Sequence, residues 1–188
     1  QDLLKTAEKY PKIIPNNVFV ESGGENTLDN LVHKLDSRIK NLDILSIDID
    51  SVNNLAIWKS TKLEPSILII EFDTRFLPFE TQESLKKSSI ERDNLFIDTY
   101  EYTLSRGYKL IYTSFNMIFV KEDIFNELNK NYLIQKNPYK IYDFRNFIKG
   151  RVISRPELIN MYVKNYKLIP LRYFVLKLSP KIIKKIYF

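Results

Sequence analysis

Four carboxylates stand where two apolar runs end. Asp48 and Asp50 follow Ile44-Leu-Ser-Ile47, and Glu71 and Asp73 close the run that begins at Ile67. If those runs are adjacent parallel strands, their carboxyl ends meet on one rim, which is where open parallel sheets bind ligands. Carboxylates gathered there are costly unless they meet water, a cation, hydrogen-bond donors or protons. A hard divalent ion such as Mg²⁺, Mn²⁺ or Ca²⁺ suits such oxygen ligands, which makes Glu71 and Asp73 candidate metal or substrate ligands. The plainer alternative has Asp50 capping the next helix through the amides of Val52 and Asn53, with Glu71 and Asp73 as solvated loop residues. Asp43, at the entry of the first run, reads as solvated.

The elements that must hold these groups follow from hydrophobic period. Residues Gln1 to Tyr10 read as a helix stopped by Pro11, and Asn17 to Glu21 as a short strand before the Ser22-Gly-Gly24 loop. Leu28, Leu31, Val32 and Leu35 have helical spacing, so a helix is expected over Thr27 to Lys40 with Asn26 or Thr27 as its cap. The Ile44 to Ile49 run reads as a strand buried on both faces. A helix over Asn53 to Lys62, ended by Glu64-Pro65, and a second buried strand over Ile67 to Phe72 complete a β-α-β unit. Arg75 to Asn94 is expected as a long loop over one end of the sheet. Leu95 to Arg106 reads as a helix with Gly107 at its carboxyl end, followed by strands over Tyr108 to Thr113 and Met117 to Lys121 in an antiparallel hairpin, and by a helix over Asp123 to Asn131.

Charge divides the chain. From Asn137 to Phe188 there are 12 Lys or Arg and two acids, a net of +10, against a net of −4 in the residues before it. The expected organisation is a body over 1–136 and a basic helical extension over 137–188, with short helices at Arg155 to Tyr166 and Pro180 to Phe188. For the extension, packing on the body ranks first, contact with a membrane surface second and nucleic acid third. There is no cysteine, so disulfides, thiolate metal sites and a thiol nucleophile are excluded. The longest apolar run, Ser66 to Phe72, is far too short to span a bilayer, and the expected location is cytoplasmic, with peripheral membrane contact through the extension. His33, the one histidine, falls on an expected surface helix and gives no support to a Ser-His-Asp triad. Trp58, at helical spacing from Leu55, reads as a packing residue.

Longer strings carry a resemblance. The segments Leu42 to Lys59, Glu64 to Phe72, Arg106 to Tyr112 and Asn116 to Lys121 resemble, in order and spacing, the second half of FkbM-type S-adenosylmethionine-dependent methyltransferases. The likeness runs over roughly Asn17 to Phe125. It implies an α/β fold with a Rossmann-like methyltransferase sheet, mostly parallel with an antiparallel hairpin at its end. It also implies S-adenosylmethionine as cofactor and transfer of a methyl group to an oxygen of a sugar or small metabolite. By the same resemblance Asp48 and Asp50 line the cofactor cleft, and Glu71 lies on the acceptor side. The family's glycine after the acidic pair is Ser51 here, and Gly23-Gly24 does not stand in a glycine-rich turn after a strand. The comparison therefore implies a chain that begins partway through the domain, without the first two strands and with cofactor binding weakened. The Ile44 to Ile49 strand would then have a bare edge, to be covered by Asn17 to Glu21 or by a second copy in a homo-oligomer.

Two other families share the acidic pair. The Asp48-x-Asp50-x-Val52 spelling resembles the opening motif of haloacid-dehalogenase-type phosphatases, with the first Asp as nucleophile. Asp-x-Asp alone resembles the metal-holding pair of nucleotide-sugar glycosyltransferases. A non-catalytic remnant that serves as an assembly module is the remaining expectation.

Overall fold

The structure, a computed structural model, describes residues 2–39, 41–49, 54–74, 76, 78, 80–83, 94–132, 134 and 137–142. Asp50, Ser51, the middle of the expected long loop and the expected helices at Arg155 to Tyr166 and Pro180 to Phe188 lie outside the described residues. The chain forms two compact units, Gln1–Lys40 with Ala56–Leu63, and Asn41–Leu55 with Glu64–Phe188.

In the first unit, helix α1 covers Asp2–Lys9 and helix α2 covers Leu28–Leu35. Thr27 caps α2, its Oγ1 accepting the Asn30 N–H at 3.4 Å. The helix ends at Leu35, short of the expected Lys40, because Asp36 turns extended and its carboxylate captures both the Arg38 N–H at 2.9 Å and the Arg38 guanidinium at 2.8 Å. Those contacts hold the Asp36 carboxyl below its usual range. Asn17 to Glu21 is not a strand. A five-residue stretch gains that state only from a partner ladder, and the segment instead leaves Phe19 72% exposed, with Glu21 N–H bonded to Asn26 O at 3.1 Å. His33 is exposed, as expected, and Leu31, Ile57, Trp58 and Leu63 are buried.

The second unit is built on one sheet. Strands β1 (Ile44–Ile47) and β2 (Ile67–Glu71) are parallel, joined through helix α3 (Asn54–Ser60). Helix α4 (Phe96–Ser105) leads through Gly107, at φ +85°, into strand β3 (Tyr108–Thr113), and two residues, Ser114 and Phe115, turn the chain back into β4 (Asn116–Lys121). Helices α5 (Glu122–Asn131) and α6 (Pro138–Ile141) follow.

The strand order is β1-β2-β4-β3, with β4 antiparallel to both neighbours. Three strands thus share one direction, yet two of the three pairings are antiparallel. The sheet is mixed, where a mostly parallel one was expected, because the short hairpin sends β4 back beside β2. Nor are the first two strands buried on both faces. Leu68, Ile70, Met117 and Phe119 form a buried face, whereas Ile67, Ile69 and Ile118 on the other face are half-buried and Ile44 is 57% exposed. Among the described residues β1 is an end strand with a neighbour on one side only, and Ser46 and Asp48 share the open face with Ile44.

Aromatic rings close the buried side. Tyr142, within the basic segment, meets Phe96 edge-on at 4.9 Å and Phe72 at 5.9 Å. Its segment is anchored by the Thr113 hydroxyl, which donates to Ile141 O at 2.7 Å. At the start of β3 the buried Tyr108 hydroxyl donates to Pro65 O at 2.8 Å.

Desolvation pushes the Tyr108 hydroxyl up to about 12. A folded-state value above the ordinary ~10 gives stability that is complete below pH ~10 and lost as pH rises toward 12. Tyr108→Phe should lower stability at pH 7 by about 1 kcal/mol and flatten the loss between pH 10 and 12. Urea midpoints across that range check it, and parallel curves for the two proteins would refute it.

Candidate functional site

The rim forms because strand register and side-chain amides act together. Ile47 is level with Ile70 across the parallel pair, so Asp48 and Glu71 are each one residue past a matched position. Glu71 is in turn paired with Asn116 of β4, and the Asn116 Nδ2 donates to Asp48 Oδ2 at 3.3 Å. Asp48 and Glu71 are therefore brought together through Asn116. Asp48 is exposed and Glu71 half-buried. The Asn116 Oδ1 is buried and has no hydrogen-bond partner among the described residues.

Where β1 stops, Asn54 takes over as its neighbour. The Ile49 N–H donates to Asn54 Oδ1 at 3.0 Å, and Asn54 Nδ2 donates to Ile49 O at 3.2 Å. An adjacent strand would make the same two contacts with a backbone amide. The second proton of the same Nδ2 goes to Glu71 Oε2 at 3.1 Å. Asn54 is 0% exposed, so these partners satisfy an amide that would otherwise be stranded in the interior. Asn94 does comparable work beside it: its Oδ1 accepts the Leu55 N–H at 2.9 Å, and its carbonyl accepts the Asp73 N–H at 2.8 Å.

Of the expected site residues, Asp48, Glu71 and Asp73 thus stand at the carboxyl ends of β1 and β2, and Asp50 lies outside the described residues. Asp43 is exposed at the strand's entry. Among the described residues no three acidic or histidine side chains are grouped to hold a metal ion. The residues that sequence reasoning missed are the three asparagines. Their signal was an amide flanking an apolar run, as in Asn54 before Leu-Ala-Ile-Trp58 and Asn116 before Met-Ile-Phe-Val120.

A cleft of about 290 Å³ lies elsewhere on the same unit, lined by Tyr100, Leu104, Lys109, Leu110, Glu122, Phe125 and Asn126. The Lys109 ammonium and Glu122 carboxylate pair at 3.0 Å, and burial raises the Tyr100 hydroxyl above its usual value. No rim residue takes part in it. Among the described residues, no helix is long and apolar enough to cross a membrane.

Fold and rim define an α/β protein with a mixed four-stranded sheet and an acidic, amide-bound edge at the carboxyl ends of its parallel pair. Neither protein-family models nor curated proteins nor solved structures yield a match to this chain.

Asn94→Ala should strand the buried Leu55 N–H and cost about 1–3 kcal/mol, read as a lowered urea midpoint. A change within ~0.5 kcal/mol would mean that the contact contributes nothing to the rim's stability.

Proposed function

We propose that this chain is a methyltransferase-like protein that binds S-adenosylmethionine at the rim and, where it is catalytic, methylates an oxygen of a sugar or small metabolite. The observation that carries the reading is the sheet. The four strings that resemble FkbM-type methyltransferases fall in order on β1 with α3, on β2, on β3 and on β4, and the antiparallel hairpin that the resemblance implies stands at the end of the chain's sheet.

Electrostatics favours the same ligand. Asp48, Glu71 and Asp73 supply acceptors and negative charge to a rim whose named partners are amides. A sulfonium cofactor with an ammonium group suits such a surface, whereas a phosphorylated ligand would need a cation between itself and the carboxylates. The exposed Asp48 fits a donor group of the cofactor, and Asp50 belongs to the same proposed cleft by resemblance. Glu71, fixed by Asn54, lies on the acceptor side. When bound, the cofactor supplies the activated methyl group, and the chain's part is to hold cofactor and acceptor in line.

The glycosyltransferase and phosphatase readings rest on Asp48-x-Asp50 with a metal, and Asp50 lies outside the described residues. The reading as a non-catalytic remnant draws on one observation: Gly23 and Gly24 lie in a turn that follows no strand.

Titration with S-adenosylhomocysteine, with and without Mn²⁺, tests the proposal. Saturable binding without metal is expected, and Asp48→Asn should weaken it about tenfold, or ~1.4 kcal/mol. Absence of binding in both conditions would sink the cofactor reading in favour of an assembly module, and a nucleotide sugar bound only with Mn²⁺ would favour the glycosyltransferase.

A further inference from the structure

We infer that Asn54 is the positioning residue of the rim, and that ligand affinity there depends on its contact with Glu71. The inference rests on the cofactor-binding reading above, and it adds a residue that neither the acidic pattern nor the resemblance singles out.

The contacts of Asn54 form part of a closed circuit. Asp48 accepts from Asn116, Asn116 pairs with Glu71 in the ladder, Glu71 accepts from Asn54, and Asn54 grips both backbone groups of Ile49, the residue after Asp48. Each carboxylate of the circuit is thereby tied to the backbone that carries the other. The circuit needs a side chain at 54 that accepts once and donates twice, which an amide does and a carboxylate does not. Aspartate would still accept the Ile49 N–H, but it would lose the bond to Ile49 O and set two carboxylates against each other. Leucine would take this partner from the Ile49 groups and from Glu71. Asn54 itself is fully buried, so its own amide depends on these partners, whereas Ile49 and Glu71 are half-buried.

The polarity of the contact supplies the test. Affinity for S-adenosylhomocysteine is measured for the full chain, for Asn54→Asp, for Glu71→Gln and for the double variant, with urea denaturation verifying that each is folded. In the double variant the amide introduced at position 71 donates to the carboxylate introduced at position 54, which restores the contact with its direction reversed. Asn54→Asp alone should lose about tenfold or more in affinity, and adding Glu71→Gln should recover a large part of that loss, short of the level of Glu71→Gln alone because the bond to Ile49 O stays lost. A general structural defect would not be repaired by a second change. If Asn54→Asp does not fold, the double variant carries the test, and a double variant that is equally unfolded, or that binds more than about tenfold more weakly than Glu71→Gln, overturns the inference. If the unaltered chain binds and Asn54→Asp binds equally well, Asn54 is not a positioning residue while the cofactor reading stands. If the unaltered chain does not bind, the cofactor reading fails. The role of Asn54 is then read from amide exchange in Asn54→Ala, where exchange at Ile49 should quicken about tenfold or more and an unchanged rate overturns the inference.

Discussion

Backbone groups that leave a ladder inside a protein still need partners, and at the carboxyl ends of β1 and β2 asparagine side chains provide them. Asn54 stands in for a neighbouring strand at Ile49, and Asn94 receives the Leu55 N–H in the first turn of α3. The sheet depends on this substitution. β1 is an end strand of four residues, and its path past Ile47 is held by the Asn54 amide. An asparagine suits the task because its amide reproduces the donor and acceptor of a peptide group on a short stem.

The same amides govern the electrostatics of the rim. Two carboxylates one residue beyond a matched strand pair repel each other unless something divides them. Here Asn116 faces Asp48 and Asn54 faces Glu71, so each charge meets an N–H before it meets the other charge. Among the described residues the buried Asn116 Oδ1 has no hydrogen-bond partner.

Burial divides the sheet unevenly. Leu68, Ile70, Met117 and Phe119 are covered, with Phe72, Phe96 and Tyr142 adding an aromatic cluster beyond the end of β2. The opposite face keeps Ile67, Ile69 and Ile118 half-buried and Ile44 largely open. Asp48 and Ser46 lie on that face of β1, so the rim's exposed carboxylate belongs to the more accessible side.

Most elements were legible in the sequence, because period and terminators are local properties. The β1-α3-β2 unit, the helix ending before Gly107 and the hairpin could be read from apolar spacing, from a glycine able to take positive φ and from a connection too short for anything but reversal. The carboxyl-end location of Asp48, Glu71 and Asp73 followed from the same reading. Burial did not, since an apolar run such as Ile44 to Ile47 has the same spelling in the centre of a sheet or at its end. The missing strand at Asn17 to Glu21 has a similar cause: extended apolar residues become a strand only when an edge is offered to them. The early end of α2 lay in a choice between helix and an Asp36–Arg38 turn that the hydrophobic pattern does not weigh. What the sequence alone determined was the β1-α3-β2 unit, the helix before Gly107, the hairpin and where acids punctuate them. Tertiary structure decided that β4 returns beside β2, so that Asn116 reaches Asp48, and that β1 and β2 pair in a register that lets Asn54 reach Glu71, because hydrogen bonds between residues 17 and 68 positions apart depend on strand pairing rather than on neighbours in the chain.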